Sequence, residues 1–208
     1  MMNGNIMGLG SAESINQTDK SEFVNSIMWQ LPAEVQAGLQ SGKLQLVPYH
    51  YYGCKEITGM NHVNIFESGD FTIKGVTNVV QGRIPADDHF MVSKLRCRTF
   101  GYTNEEVNSR TPEQLMKDAD WDEPFSCVTN GEFMFGSGAT TYMDKTATAI
   151  FDTKGNTTIE KGTVKIPGKY LKPQTELKVE FDIVGSLPKD KPRAFIRFDV
   201  IGVKTQKA

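Results

Sequence analysis

The stretch TELKVEFDIVGSLPKDKPRAFIRFDVIGVK, Thr175–Lys204, decides how the rest of the chain is read. Leu177, Val179, Phe181 and Ile183 alternate with Lys178, Glu180 and Asp182. Further on, Ile196, Phe198 and Val200 alternate with Arg197 and Asp199. Side chains of a strand point to opposite faces in turn, so each segment has one apolar and one charged face and reads as a half-buried strand. Between them lies Gly185–Pro192. Its prolines, Pro188 and Pro192, donate no ladder hydrogen bond and its glycine is free to take positive φ, so this is a loop. The pattern predicts a β-hairpin at this end of the chain, with Arg197 and Asp199 on its wet side.

Upstream, the same texture recurs. Leu44–Tyr52, Val63–Phe66, Phe71–Val80, Phe90–Phe100, Phe125–Val128, Glu132–Phe135, Thr140–Phe151 and Thr157–Ile166 are runs rich in β-branched and aromatic residues. Gly, Asn and Pro punctuate them as turns. In Phe90–Phe100, Leu95, Cys97 and Thr99 fall on one side and Lys94, Arg96 and Arg98 on the other, so one face of that strand is basic. Helical signals are few. Asp19 and Glu22 form a helix start, and Phe23, Ile27 and Leu31 lie at i, i+4 and i+8. Pro32 opens a second helix, Ala33–Gln40, stopped by Gly42. Thr111-Pro112-Glu113-Gln114 begins a short helix within the insertion Thr103–Trp121. Short strands with so few helices predict an all-β protein, an antiparallel β-sandwich with a short N-terminal helical segment and a small helical insertion. Residues 1–43 are expected as an arm and helical segment, and residues 44–208 as the sandwich domain.

The chain has 208 residues, 38% hydrophobic and 23% charged, with a net charge of −2. That balance is too apolar for a disordered chain. It gives no general attraction to DNA or RNA, although a local basic patch remains compatible with it. No apolar run approaches the roughly 20 residues of a membrane-crossing helix. The opening MMNGNIMGLGSAES lacks the basic start and sustained apolar core of an export signal. Cys54, Cys97 and Cys127 are odd in number and far apart, so they are expected as reduced, buried thiols.

His50, His62 and His89 fall in no HxH, HExxH or Cys/His spacing, so neither a metal nor another cofactor is expected. Asp118, Asp120, Asp122 and Glu123 begin like a calcium loop but lack its central glycine and distal glutamate. With Asp87 and Asp88 they read as solvated acidic turns. No G-x-S-x-G elbow is present, and no glycine-rich loop stands between a strand and a helix. These patterns point away from an enzyme. Two groups of residues remain as interaction candidates. Ile6, Leu9 and Ile15 are apolar anchors in a polar arm, while Phe23 and Ile27 share a helix face that packs either on the body or on a neighbouring subunit. In Tyr49-His50-Tyr51-Tyr52, Tyr49 and Tyr51 share a strand face, where they either edge the β core with their hydroxyls in water or offer two rings to a sugar or another protein.

The passage VQGRIPADDHFMVSKLR, Val80–Arg96, in which a polar Ile-Pro turn feeds a long strand, resembles one found in jelly-roll coat proteins of bacterial viruses. The polar arm, the interleaved insertion and the sheet-forming C-terminal stretch are similar in style. The resemblance implies a jelly-roll-like sandwich that acts by self-association, as a non-enzymatic subunit of a virion capsid or a related shell or appendage. Its implied partners are further copies of itself and other virion structural proteins. It brings no catalytic residue, no cofactor, no specific nucleic-acid binding and no membrane span. Two other readings stay open. One is a carbohydrate-binding β-sandwich module resting on Tyr49 and Tyr51. The other is a glycoside hydrolase, whose two carboxylates would face each other across a cleft at roughly 5–10 Å.

Overall fold

The computed structural model describes residue 25 and residues 27–107, 110–153 and 160–208. Among them eight strands carry the fold: β1 Leu44–Glu56, β2 His62–Asn64, β3 Phe90–Tyr102, β4 Glu132–Ser137, β5 Thr140–Ala147, β6 Thr163–Leu171, β7 Leu177–Asp182 and β8 Arg193–Lys207. They form two four-stranded sheets, ordered β1-β8-β3-β6 and β2-β7-β4-β5, whose inner faces share one core. Every pairing is antiparallel, and the pairs are nested: β1 with β8, β2 with β7, β3 with β6, β4 with β5. The chain is thus one long antiparallel ribbon, doubled back between β4 and β5. Rolling that ribbon brings β8 against β3 and β7 against β4. This is the jelly-roll arrangement of a β-sandwich.

The stretch Thr175–Lys204 holds two strands but no hairpin. β7 and β8 belong to opposite sheets, and residues 183–192 cross the sandwich between them. Alternation fixes which face of a strand is apolar, and both apolar faces do turn inward. Leu177, Val179 and Phe181 come from one sheet and Ile196, Phe198 and Val200 from the other, all buried in the same core. Alternation does not name the neighbour across the ladder. The connection is longer than the roughly two to five residues of a hairpin loop. It is long enough to span the roughly 10 Å between packed sheets. At the centre Phe133, Phe151, Phe181 and Phe198 cluster with ring centroids 5.0–6.4 Å apart.

Two further segments depart from expectation. Phe71–Val80 is a folded connection, not a strand. It reverses at Ile73–Thr77, where Gly75 has φ 87°, and again at Val80–Arg83, where Gln81 and Gly82 both have positive φ. Positive φ at both central residues is the signature of a type I′ turn. Phe125–Val128 contributes to a single helical turn, since an apolar run that short does not distinguish strand from helix. The α-helices whose two ends lie among the described residues are α1 Ala33–Gln40, α2 Asn104–Val107, α3 Pro112–Asp118 and α4 Ser126–Thr129, and Met28–Gln30 and Thr148–Phe151 are 3-10 turns. α1 opens at Pro32, and α3 starts from the Thr111–Gln114 capping box.

The outer face of the β1-β8-β3-β6 sheet is covered at both ends. At one end Ile27, Leu31 and Val35 pack on Met91 and Val203. At the other, Leu115 of α3 packs on Tyr102 and Phe195. The charged middle of the sheet lies between these apolar patches.

Candidate functional site

Ile6, Leu9, Ile15 and Phe23 lie outside the described residues. Ile27 is 1% exposed in the cluster with Met91 and Val203, so Ile27 itself packs on the body. Tyr49 and Tyr51 do share a face, but it is the inner one. Tyr51 is fully buried, edge-on to Phe90 at 4.8 Å, and its hydroxyl donates to Asp88 Oδ2 at 2.6 Å. Burial, reinforced by Asp88, pushes the Tyr51 pKa up. Tyr49 is half-buried, tilted 70° from Tyr51, with Lys204 Nζ 4.1 Å from its ring centroid. Lys204 also donates to both Asp88 oxygens, at 3.2 and 3.0 Å. The set ties the turn before β3 to β1 and β8. One buried ring and one tilted ring do not make a platform for a sugar, so the outward placement of this pair is corrected.

The histidines are not gathered. His62 Nδ1 lies 2.8 Å from Asp182 Oδ1, and that hydrogen bond raises the His62 pKa. His89 Nδ1 lies 2.6 Å from the Tyr170 hydroxyl. Among the described residues no group of three or more His, Cys, Asp and Glu side chains is placed to hold a metal. The acidic turn is engaged in pairs: Asp118 with Arg110, Asp122 with Lys161, and Glu123 with the Thr153 hydroxyl. His62, Glu132, Asp144, Lys145, Glu180 and Asp182 line a shallow cleft on the outer face of the second sheet. Cys54, Cys97 and Cys127 are buried and unpaired, and burial raises each thiol pKa, that of Cys54 to about 12.

The β2–β3 connection closes the β1 edge of the sandwich. Asn78 takes the place of a strand there. Its side chain accepts from the Tyr52 N–H at 2.8 Å and donates to the His50 carbonyl at 2.8 Å. Its own N–H donates to the Tyr52 carbonyl at 3.3 Å. Asp70 is fixed by Lys55 Nζ and by the Glu67 N–H, each at 2.9 Å, while the Gln81 N–H donates to its carbonyl at 2.8 Å. Burial would pull the Lys55 pKa down, and the hydrogen bonds to Glu67 and Asp70 outweigh it. On this pinned loop Phe71 is 73% exposed and Val80 52%. They are the residues next to Asp70 and Gln81, whose backbone bond joins the two stretches of this loop that carry them. Sequence reasoning missed them because it read this segment as a strand.

The middle of the first sheet's outer face is an ionic cluster. The β3·β8 register puts Arg96 opposite Asp199 and Arg98 opposite Arg197, and the β3·β6 register puts Lys94 opposite Lys165. Asp199 is 0% exposed. Its Oδ1 accepts from Arg197 Nε and Nη2 at 3.1 and 2.9 Å. Its Oδ2 accepts from Arg96 Nε at 3.2 Å and Arg98 Nη2 at 3.3 Å. Arg96 pairs with Glu160 as well. The Arg197 guanidinium lies 4.3 Å from the Tyr52 ring centroid. Burial alone would raise the Asp199 pKa, but Arg197, Arg96 and Arg98 hold it below the usual carboxylate value. Burial lowers the Arg98 pKa against the pull of Asp199, and repulsion from Arg96 and Arg197 adds to it. Arg98 Nε is buried without an acceptor among the described residues. The basic face of β3 was legible in the sequence; the burial of Asp199 on the side expected to be wet was not.

Comparison of the chain with protein-family models, curated proteins and solved structures gives no match.

Proposed function

We propose that the chain is a non-enzymatic structural subunit that self-associates, as the building block of a virion capsid or a related shell or appendage. The observation that carries this reading is the apolar rim, where Phe71 and Val80 stand exposed on a loop held by Asp70, Lys55 and Gln81. Covering such a pair gains roughly 25 cal/mol per Å² of apolar surface. The loop is already ordered, so little conformational entropy is lost when a neighbour docks. Aromatic residues held out in this way are favoured centres of protein–protein contacts. A contact between this rim and a different surface of the next copy is heterologous, and repeated rotation closes such contacts into rings or shells. A jelly roll hosts many functions, so the fold by itself does not argue for this one. The resemblance of Val80–Arg96 to coat proteins of bacterial viruses begins in the same connection, runs into β3 and supports the reading. Ile6, Leu9, Ile15 and Phe23 of the arm are further contacts to a neighbouring copy in this reading, and other virion proteins are its further partners.

Light scattering on three chains tests the reading: full length, Phe71→Ser with Val80→Ser, and a chain lacking Met1–Asp19. The full-length chain is expected to form a homo-oligomer. The double variant is expected to keep its stability to within about 0.5 kcal/mol, as exposed substitutions do, and to associate less. The truncated chain is expected to stay folded at a lower association state. Variants that assemble like the parent would remove the rim and the arm as contacts.

A further inference from the structure

The outer face of the β1-β8-β3-β6 sheet is far more basic than a chain of net charge −2 suggests. Arg98 faces Arg197 across the β3·β8 ladder. Like charges directly opposite each other destabilise a sheet, by roughly 0.2–1 kcal/mol per pair. Asp199 accounts for part of this arrangement, because it draws Arg96, Arg98 and Arg197 together across β3 and β8. It does not account for the surplus. Three guanidiniums stand against the carboxylates of Asp199 and Glu160. Arg98 is the least satisfied of them: its bond to Asp199 uses Nη2, and its Nε is buried with no acceptor among the described residues. The side chains of Arg96, Arg98 and Arg197 are 14%, 19% and 14% exposed, so the cluster reaches the surface. It does so on the stretch of that face between the apolar patch at Met91 and Val203 and the one at Leu115 and Phe195.

We propose that this cluster is a phosphate-binding site with Arg96, Arg98 and Arg197 as its donors. A guanidinium offers N–H groups in a fixed fork that matches the oxygens of a phosphate two at a time. A phosphate monoester carries roughly −1.5 to −2 charges, and a phosphodiester chain presents one on each residue, so either balances the surplus of the cluster. Asp199 is a positioning residue, fixing the three forks relative to one another. The Tyr52 ring beneath Arg197 holds the plane of that guanidinium. The same chemistry serves a free phosphate compound and the backbone of a nucleic acid, read without regard to sequence.

The test uses the folded full-length chain. Its melting temperature is measured in sodium phosphate and sodium pyrophosphate against sodium chloride of equal ionic strength, and binding of a labelled oligothymidylate is followed by anisotropy. A saturable shift beyond that of chloride, or saturable anisotropy, is expected. Arg98→Gln is expected to weaken binding at least about tenfold, the value of one charged hydrogen bond. Should that variant fail to fold, Lys165→Ala, exposed and outside the bonds to Asp199, is expected to weaken it about two- to fivefold. Lys178→Ala, on the other sheet, is expected to change nothing. Binding of the oligothymidylate alone assigns the site to a phosphodiester chain, and binding of the small anions alone assigns it to a free phosphate compound. No response to any of the three, or the parent's affinity retained in Arg98→Gln or, where that variant fails to fold, in Lys165→Ala, overturns the proposal. Association state, read separately by light scattering, is independent of either result.

Discussion

Phe198 and Asp199 are neighbours on β8, each with 0% of its surface exposed, and they are buried by opposite physics. Phe198 lies between the sheets among Phe133, Phe151 and Phe181. Asp199 lies on the far side of the same sheet beneath Arg96, Arg98 and Arg197. Removing a phenyl ring from water is favourable at any pH, at roughly 25 cal/mol per Å². Removing a carboxylate from water is unfavourable, and only attraction and hydrogen bonds from the guanidiniums offset it. One strand therefore has an inner face sensitive to volume and an outer face sensitive to protons and to the loss of a single charge.

The largest effect is expected from Phe198→Asp, which places an unpaired carboxylate among phenyl rings. The cost is several kcal/mol, a large part of the roughly 5–15 kcal/mol that holds a domain together. Soluble, folded yield should collapse, and an unchanged melting temperature would place Phe198 outside the core.

Asp199→Asn should cost about 3–5 kcal/mol, because it leaves three guanidiniums without their central counter-charge. This substitution also separates the two faces by pH. The folded Asp199 pKa is depressed. Its unfolded value lies near about 3.9, so its stabilisation is fully present above that pH and is lost as pH falls through the lower folded value. Urea melts at descending pH should show an acid loss in the parent chain and in Phe198→Leu, and a shallower one in Asp199→Asn. Equal slopes in all three would mean that the cluster is not held by the charge of Asp199.

His62 and Asp182 repeat the ion-pair chemistry in the open, with side chains 50% and 57% exposed. The His62 pKa is raised, so its stabilisation is present below the unfolded value and lost as pH rises through the folded one. At that exposure it is worth less than about 0.5 kcal/mol. His62→Gln should remove a small decline in melting temperature between about pH 6 and 8 and do little else. A large loss would show that exposure does not set the strength of these pairs.

Much of the fold was legible because strand faces and caps are local. The alternation in Leu177–Ile183 and Ile196–Val200 identified the apolar faces. Pro32, Gly42 and the Thr111-Pro112 start marked helices that form as expected. What local patterns do not carry is the partner of a strand or the side of the sheet that is covered. β7 and β8 pair in different sheets because the rolled ribbon, and not the loop between them, selects their neighbours. Tyr49 and Tyr51 share a face, as their spacing requires, but the core claims it. Asp199 alternates like a solvent-facing residue and is buried because arginines from β3 and from its own strand close over it. The exposed pair Phe71 and Val80 was hidden in a run whose composition reads as a strand, while the turns at Gly75 and at Gln81-Gly82 fold it into a rim.

Self-association is the claim on which the functional reading stands. Native mass measurement of the full-length chain, purified alone and diluted over a wide concentration range, tests it directly. The account predicts a discrete homo-oligomer that dissociates on dilution and is weakened by Phe71→Ser with Val80→Ser. A monomer at every concentration would contradict it.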